Sequence, residues 1–322
     1  MTSLLSSFTD LNPPKDDFLG AVEQGLSRKQ KILPCEFFYD ERGSQLFDQI
    51  CMLDEYYPMR TERGILEARL GEIVELIGRN AHLVELGSGA SIKTRILMKA
   101  LPDLAQYTAV DISRKFLLDS AATLAADYPH IAVAAVCADY TKNFPLPIPK
   151  RKRASRNVAF FPGSTIGNLS PAKARSFLKK LSKTIERGGG LLIGVDLRKA
   201  PSILRAAYND SAGTTAAFNL NLLERINREL SANFDLNFFK HNAVYVEKMR
   251  RIEMRLISTR PQTVVIGDKS FDFAVNEYIH TENSYKYSIS DFRRLCQNAG
   301  YEPIASWTDI NSLFSVHYFT AQ

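Results

Sequence analysis

The sequence is poor in cysteine and lacks the spacings that metal centres and disulfide frameworks need. Its four cysteines lie far apart, form no C-x-x-C pair and have no histidine at metal-ligand spacing. They are Cys35, Cys51, Cys137 and Cys296. The five histidines share no spacing with one another. We therefore expect free buried thiols, histidines with structural or surface roles, and no metal site.

Long apolar segments are also absent. No window reaches the roughly 18 uninterrupted apolar residues of a membrane helix. The first residues, MTSLLSSFTDLNPPKDD, have neither the basic start nor the apolar stretch of a signal peptide. With 45% apolar residues in a chain of 322, one large core or one core and a smaller lobe can form. This composition predicts a cytoplasmic globular protein without a membrane-spanning segment.

A turn within VELGSGASIKTR, residues 84–95, lacks the glycine that two common nucleotide-binding motifs need. A P-loop has glycine directly before its Lys-Thr pair, and a dinucleotide fingerprint has its third glycine at the same position. Here that position is Ile92. The turn is therefore not typical of a site for a phosphorylated nucleotide.

The net charge is +6, and much of the excess lies in PKRKRASR, which runs to Arg156. Such a run can bind nucleic acid or act as a nuclear address. Because it stands between an apolar segment and a strand-like run, we interpret it as a solvated loop.

Short apolar runs and amphipathic helices alternate between residues 64 and 196. The strand-like runs are HLVELGSG, YTAVDIS, IAVAAVCADY, RNVAFFPGSTIGNL and GLLIGVDL. Strands that alternate with helices predict a mostly parallel, doubly wound α/β sheet. One helix is predicted to begin at Pro171, with Ser170 as its N-cap.

The rhythm changes after Asp196. The segment VEKMRRIEMRLISTRPQTVVI alternates its faces, which is typical of antiparallel strands. The last segment begins with a helix that we expect Ser290 to cap, and it closes with two strand-like runs that should pair antiparallel. We predict a Rossmann-like domain from residues 61–196 and 287–322. A second, α+β domain is predicted from residues 1–60 and the insertion 197–286.

Acidic residues stand at the ends of successive strands, where open α/β sheets bind ligands. Glu85 precedes the turn in which Gly87 and Gly89 allow a ligand to approach the backbone closely. Asp111 ends the next strand, where a carboxylate can accept from both hydroxyls of a ribose.

The third acidic end is Asp139, which can accept from an adenine amino group while Tyr140 offers a ring beside the base. This trio, without the third glycine that accommodates a pyrophosphate, suits a nucleoside that bears no phosphate. It predicts S-adenosylmethionine as cosubstrate. Lys93 could reach the methionyl carboxylate.

Together with the closing antiparallel pair, these features resemble the class I methyltransferases. Longer stretches resemble the L-histidine Nα-methyltransferases of ergothioneine biosynthesis over nearly the whole chain: YDERGSQLFDQICMLDEYYPMRTE, ELGSGASIKTR, FFPGSTIGNLSP, AYNDSAGTTAAFNLNLLERINREL and IHTENSYKY. The resemblance implies three methyl transfers to the α-amino group of L-histidine, which give hercynine. Asp54 and Met59 depart from the family's LPEYYPTRTE.

The resemblance also implies the residues that hold the amino acid. Tyr56, Asn168 and Tyr208 would bind its amine and carboxylate, and Tyr39 would line the amine side. Tyr39, Asn168 and Tyr208 would then orient a neutral amine for direct attack on the methyl group, because alignment is where such reactions gain rate.

By the same resemblance, Glu282 and Ser284 would bind the imidazole, with Met254 packed against the ring. Glu282 would discriminate between side chains, because a carboxylate facing an imidazole N–H forms a charge-assisted bond that an indole or alkyl group cannot fully replace.

Three other functions stay open at this point. Fungal enzymes similar to this family methylate a prenylated tryptophan, so another amino acid could be the substrate. Nucleic-acid methylation is a weaker alternative, because the segment NPPK at Asn12–Lys15 has lysine where the amino-methyltransferase motif has an aromatic ring. A cofactor-binding protein without turnover is the third. We expect a monomer that acts on a small molecule and binds neither nucleic acid nor membrane.

Overall fold

The computed structural model describes residues 4–11, 17–88, 92–150 and 153–322. The chain forms two compact units. The first contains the described part of Met1–Lys15, with Arg60–Leu197 and Tyr287–Gln322. The second contains the described part of Asp16–Met59, with Arg198–Lys286.

The α-helices of the described residues are numbered along the chain. They are α1 (Phe18–Leu26), α2 (Glu41–Met52), α3 (Tyr57–Ala68), α4 (Leu70–Ile77), α5 (Ile92–Ala100), α6 (Arg114–Asp127), α7 (Pro171–Ile185), α8 (Pro201–Tyr208), α9 (Thr214–Leu230) and α10 (Ile289–Gln297).

The strands are numbered in the same way. They are β1 (Ser7–Asp10), β2 (His82–Leu86), β3 (Gln106–Asp111), β4 (Val133–Cys137), β5 (Asn157–Phe161), β6 (Gly190–Asp196), β7 (Phe239–Val246), β8 (Arg251–Ser258), β9 (Gln262–Ile266), β10 (Lys269–Phe273), β11 (Tyr278–Tyr285), β12 (Tyr301–Thr308) and β13 (Phe314–Ala321).

In the described residues, the first unit is built on one eight-stranded sheet with the order β1-β4-β3-β2-β5-β6-β13-β12. Strands β1 to β6 run parallel to one another, whereas β13 is antiparallel to both β6 and β12. From β2 the chain continues outward to β3 and β4 on one side and to β5 and β6 on the other. The predicted doubly wound α/β sheet and its antiparallel closing pair are confirmed.

The central strands consist mainly of apolar residues because both of their faces are covered. Every residue of β2, β4 and β6 is buried. This burial explains runs such as VAAVC, in which no polar residue alternates with the apolar ones. The core joins these strands to the helices through side chains that include Leu83, Tyr107 and Phe160 with Ile73, Leu97 and Leu117.

The N-terminal strand corrects one sequence-based expectation. β1 pairs in parallel with β4, from Ser7 opposite Ala134 to Asp10 opposite Cys137. We grouped residues 1–60 with the insertion, and this grouping does not hold for β1. Its sequence, SFTD, is too short to show an alternating pattern, so its pairing is determined by the edge that β4 presents.

The second unit contains a three-stranded antiparallel sheet, ordered β11-β8-β7, and a separate β9-β10 hairpin. Helix α9 packs against α2 and against this sheet. The rings of Phe38 and Phe218, whose centroids lie 4.6 Å apart, form part of the core. The antiparallel pairing predicted after Asp196 is confirmed.

The helix caps agree with the sequence at one position and differ at another. Ser170 caps α7, whose first residue is Pro171, as predicted. α10 is capped by Ser288 and not by Ser290, because the Ser288 hydroxyl accepts the N–H of Asp291 at 3.1 Å. The S-x-x-D spacing from Ser288 is that of a capping box.

The composition also predicts free buried thiols, a solvated basic loop and no membrane-spanning segment. The four cysteines are free, and two of them, Cys137 and Cys296, are buried. In the described part of the basic segment, Lys150, Arg153 and Arg156 are exposed. Within the described ranges, every helix is too short or too polar to cross a bilayer.

Candidate active site

The residues predicted to bind the cofactor leave the large sheet at one edge. Gly87 follows β2, Asp111 ends β3, and Asp139 lies two residues beyond β4. β3 pairs in parallel with β2 on one side and with β4 on the other. Parallel neighbours end at the same edge, so the three turns are adjacent.

Gly87 occupies a position that only glycine fits well. Its φ is +71°, in the left-handed region that disfavours a side chain. A Cβ there would stand 3.7 Å from the ring of Tyr140. The Tyr140 ring, in turn, packs edge-on against Phe161 and Phe177. The glycine turn and the predicted adenine-side ring are therefore neighbours, while Gly89 lies outside the described residues.

The two strand-end aspartates differ in their electrostatics. Burial raises the pKa of Asp111, although its carboxylate accepts the N–H of Ser113 at 2.9 Å. Burial also acts on Asp139, but hydrogen bonds from Thr141 and Lys142 outweigh it and hold the Asp139 pKa below its ordinary value. The Thr141 hydroxyl donates to Asp139 at 2.6 Å. Both carboxylates are thus held in place by the backbone turns that follow their strands.

Glu85 lies inside β2 and is 2% exposed. It accepts a hydrogen bond from the hydroxyl of Tyr107 on β3. Burial raises the pKa of Glu85 to about 7, and the Tyr107 bond and the charge of Lys93 oppose that rise. The structure thus gives Glu85 a role in joining two strands beneath the glycine turn, and its contact with a cofactor stays a prediction.

Lys93 has a protein partner that the sequence did not suggest. Its ammonium, near the start of α5, donates to the carboxylate of Glu62 on α3, and both side chains are buried. Glu62 also accepts the N–H of Gly163 at 2.8 Å. A Cβ at Gly194 would lie 1.9 Å from Glu62 Oε1, so β6 makes room for this carboxylate. Contact between Lys93 and a methionyl carboxylate stays a prediction.

Glu62 therefore fixes the loop that carries Asn168. Gly163 and Ser164, just after β5, both have positive φ, at +79° and +55°. The Ser164 hydroxyl accepts the N–H of Asp196 at the end of β6, at 2.9 Å. A short 3-10 helix, Thr165–Asn168, follows. A non-glycine residue in the left-handed region is uncommon, and such strained positions cluster at functional sites, which makes this loop a candidate.

In the second unit, the predicted imidazole-binding residues share one face of the three-stranded sheet. Glu282 on β11 pairs directly with Met254 on β8, and Ser284 pairs with Ile252. Residues two apart on a strand, and residues directly opposite on neighbouring strands, point to the same side. Met254 is 2% exposed and Glu282 is partly exposed.

A register shift at Thr281 turns Glu282 to this face. His280 pairs with Arg255 and Glu282 pairs with Met254. Because Arg255 and Met254 are consecutive, Thr281 is an extra residue with no paired residue on β8. The Thr281 hydroxyl donates to Asn219 Oδ1 at 2.8 Å and lies 3.2 Å from the Met254 carbonyl oxygen. Such extra residues re-aim side chains, and here one separates His280 from Glu282.

Tyr208 is held at the end of α8 by the polar residues around it. Its carbonyl accepts from His241 Nε2 at 2.8 Å, while His241 Nδ1 accepts from Asn219. Asn209 exchanges two hydrogen bonds of 2.9 Å with the backbone of Ala243 on β7. The motif AYND therefore joins α8 to the sheet.

The Tyr208 hydroxyl belongs to a buried polar cluster. It donates to Ser284 Oγ at 2.8 Å. Lys286, directly after β11 and 2% exposed, donates to Ser284 at 2.8 Å and to Tyr208 at 3.1 Å. Lys286 was missed by the sequence analysis although it lies in the quoted stretch IHTENSYKY.

A row of aromatic rings extends from Tyr208, which belongs to the polar cluster. Tyr39 lies edge-on to Phe47 and Phe218, with centroids 5.6 and 5.8 Å away. Phe47 contacts Tyr56 at 6.3 Å, and Tyr56 contacts Tyr208 at 6.2 Å. The structure thus brings together Tyr39, Tyr56 and Tyr208, which the family resemblance assigns to the binding of one amino acid.

Burial adjusts the protonation of two groups here. It raises the pKa of Glu282 to about 7, and the charge of Lys286 opposes that rise. It also raises the pKa of Tyr56 well above its ordinary value. Tyr56 is therefore a neutral hydroxyl at physiological pH, and Glu282 can change charge near neutrality.

The sequence model of one protein family, described as histidine-specific, SAM-dependent methyltransferases, matches residues 18–321. The chain belongs to this family. A histidine N-alpha-methyltransferase of Mycolicibacterium smegmatis is 41% identical over 96% of both chains. A protein of the same name from Mycobacterium tuberculosis is 41% identical over 89% of this chain and 90% of its own. Ergothioneine biosynthesis protein 1 of Schizosaccharomyces pombe is 28% identical over 94% of this chain and 40% of its own.

Membership of this family agrees with the observed fold. The description of the family also indicates dependence on S-adenosylmethionine. The described residues contain no cluster of histidine, cysteine, aspartate or glutamate that could hold a metal ion. Of the described histidines, His82 and His317 are buried in the first unit, where His82 bonds to Thr108 and His317 to Ser315. These contacts support the structural roles predicted for them.

The residues that sequence reasoning missed share a property. Glu62, Thr281 and Lys286 act on other side chains, and no motif spacing reveals them. All three fall within or beside stretches that carried the family resemblance, at MRTE and IHTENSYKY. That resemblance is the one signal that could have identified them.

We expect Glu62→Ala to destabilise the protein strongly, because it leaves the Lys93 ammonium buried without its carboxylate. Breaking a buried pair in this way costs about 3–5 kcal/mol. Urea denaturation would measure the free energy of unfolding. The control is Glu67→Ala on the same helix, which removes an exposed pair with Arg63 and should cost about 0.2–1 kcal/mol. Equal losses for both variants would contradict the role of Glu62.

We expect Thr281→Val to raise the KM for the amino-acid substrate several-fold. The change keeps the side-chain shape but leaves Asn219 Oδ1 without its donor and loosens the register shift that aims Glu282. Steady-state kinetics would show an unchanged KM for S-adenosylmethionine. Thr263→Val is the control, because its hydroxyl bonds to Asp272 in the β9-β10 hairpin. An unaltered KM in Thr281→Val would show that the shift does not aim Glu282.

Proposed function

We propose that this chain transfers three methyl groups from S-adenosylmethionine to the α-amino group of L-histidine and so produces hercynine for ergothioneine biosynthesis. The observation that carries the proposal is the face formed by Met254, Glu282 and Ser284. It sets an acceptor, a hydroxyl and an apolar thioether on the same face of two paired strands. The names of the mycobacterial and yeast relatives support the same substrate and pathway.

The first unit would bind S-adenosylmethionine. Gly87 gives the backbone turn, Asp111 would accept from the ribose hydroxyls, and Asp139 would accept from the adenine amino group beside Tyr140. The space between Gly87 and the Tyr140 ring, which a Cβ at residue 87 would narrow, supports the fit of a nucleoside. Gly89, Lys93 and Glu85 would contribute to the same site.

The second unit would bind histidine, and the family resemblance assigns Asn168 to the same role. Glu282 and Ser284 would hold the imidazole against Met254. Tyr56 and Tyr208 would bind the amine and carboxylate, and Tyr39 would line the amine side. The proposed domain roles follow from this division of residues between the two units.

The reaction is a direct displacement. S-adenosylmethionine supplies a methyl group activated on its sulfonium. Asn168 and the hydroxyls of Tyr39 and Tyr208 orient the neutral amine so that its lone pair lies in line with the methyl–sulfur bond. As the new N–C bond forms, the C–S bond breaks and its electron pair stays on sulfur. The amine proton leaves to solvent, and alignment at roughly 3–3.5 Å supplies the rate gain.

The aromatic row suits the later methylations. Each transfer removes one N–H donor, and the final product carries a quaternary ammonium group without any. Rings such as Tyr39, Phe47 and Tyr56 can face such a cation favourably. A pocket of carboxylates would bind the first substrate well but would hold the product too tightly.

The direct test is mass spectrometry of histidine incubated with the protein and S-adenosylmethionine. We expect mass gains of one, two and three methyl groups. Tryptophan and a mixed oligonucleotide serve as parallel substrates. They test the two alternative functions, which are methylation of another amino acid and methylation of a nucleic acid. Methylation of either in place of histidine would overturn the proposal, and so would the absence of any methyl transfer.

We expect Asp111→Ala to weaken S-adenosylmethionine binding by about 1–3 kcal/mol, because a hydrogen bond to a charged group is lost. Isothermal titration calorimetry would measure the change. Asp127→Ala, which removes an exposed pair with Arg95 at the end of α6, is the matched control. If both variants bind the cofactor equally well, Asp111 does not contact the ribose.

We expect Glu282→Gln to raise the KM for histidine by roughly 10-fold or more, since a charge-assisted hydrogen bond contributes about 1.5–3 kcal/mol. Cofactor affinity should not change. Glu247→Gln alters an exposed carboxylate of the same unit and should leave both constants intact. A normal histidine KM in Glu282→Gln would remove this residue from substrate recognition.

A further inference from the structure

Lys286 stands where the imidazole-binding face ends. It follows β11 directly, and its ammonium is buried beside the ring of Tyr208, with Nζ 4.9 Å from the ring centroid. Its ammonium donates hydrogen bonds to Ser284 Oγ and Tyr208 Oη. An ammonium can only donate, so both oxygens must accept from it.

This arrangement fixes the polarity of Ser284. The Tyr208 hydroxyl, a phenol and the stronger acid of the two hydroxyls, donates to Ser284 Oγ at 2.8 Å. Ser284 Oγ therefore accepts two hydrogen bonds, one from Tyr208 and one from Lys286. A serine oxygen has two lone pairs and one O–H. With both lone pairs used, Ser284 can offer a ligand only its hydrogen.

Glu282 has the opposite polarity on the same face. Its carboxylate is an acceptor when ionised, and the charged or titratable groups that act on it are Lys286 and Tyr56. The ammonium of Lys286 favours the ionised form of Glu282. The hydroxyl of Tyr56 is neutral and adds no negative charge that would oppose this ionisation. One strand therefore presents an acceptor and, two residues later, a donor.

A neutral imidazole has the complementary pattern, with one N–H and one bare nitrogen. An imidazolium would point a second N–H at the Ser284 hydrogen. An indole would satisfy Glu282 but leave the Ser284 hydroxyl without an acceptor, which costs about 1–3 kcal/mol for a buried group. The site thus distinguishes rings by their hydrogen-bond pattern as well as by size.

We propose that Lys286 is a positioning residue for specificity, which commits Ser284 to donate beside the acceptor Glu282 and so selects neutral imidazole in a single tautomer. This inference rests on the proposed function, in which histidine is the substrate. Lys286 acts through Ser284 and Glu282 and does not itself touch the imidazole.

The first experiment uses the unmodified protein. Histidine labelled with ¹⁵N in its ring is bound in the presence of S-adenosylhomocysteine, and the nitrogen chemical shifts are recorded from pH 6 to 8. We expect one protonated and one bare nitrogen, in one tautomer, even near pH 6, where a substantial fraction of free histidine carries a protonated imidazole. A bound imidazolium, or two tautomers in exchange, would overturn the inference. Failure of histidine to bind at all would overturn the proposed function as well.

The second experiment compares Lys286→Met, Ser284→Ala and the double variant. We expect Lys286→Met to raise the histidine KM about 10-fold or more with a smaller change in kcat. The acid limb of kcat/KM should move to higher pH, because the charge that lowers the pKa of Glu282 is gone. In the Ser284→Ala background, Lys286→Met should add much less, because residues acting through one contact are not additive.

Lys286→Arg should restore part of the affinity, and Lys248→Met, at an exposed position of the same unit, should change nothing. Additive effects of the two changes, together with an unmoved acid limb, would show that Lys286 has only a structural role. That result would leave histidine methylation itself intact, so the two proposals fail separately. If Lys286→Met does not fold, the nitrogen spectra of the unmodified protein decide the question.

Discussion

The desolvation of Glu282 is the constraint on which the substrate-binding half of the molecule depends. A carboxylate discriminates better between ring nitrogens where water competes less well for its partner, and the burial that limits water also opposes its charge. Its surroundings resolve this conflict. Lys286 supplies a nearby positive charge, and the register shift at Thr281 turns the carboxylate toward Met254 and away from the side of His280.

The cofactor half uses a related device for a different purpose. There the buried pair of Glu62 and Lys93 joins the first turn of α5 to the loop after β5, through the N–H of Gly163. In both units a buried lysine organises neighbouring polar groups.

Sequence predicted what depends on local pattern. The mostly parallel sheet followed from the alternation of strand-like runs such as IAVAAVCADY with helices, and Gly87 followed from the demand for a close backbone approach. The S-x-x-D spacing that begins at Ser288 marks this residue as the N-cap of α10. The predicted N-cap, Ser290, lies two residues further along the chain. Strand β1 could not be predicted, because four residues carry too little pattern and their pairing depends on β4. The roles of Glu62, Thr281 and Lys286 likewise depend on neighbours that are distant in sequence, and only the family resemblance marked the stretches that contain or adjoin them.

The most direct test of the central claim is a competition between amino acids. The protein is given equal concentrations of histidine and tryptophan with limiting S-adenosylmethionine, and tandem mass spectrometry locates the methyl groups. The account predicts methylation on the α-nitrogen of histidine, favoured over tryptophan by a factor of about 100 or more, as expected where a buried polar site would be left unpaired by the wrong ring. Methyl groups on the imidazole ring, or comparable methylation of tryptophan, would contradict it.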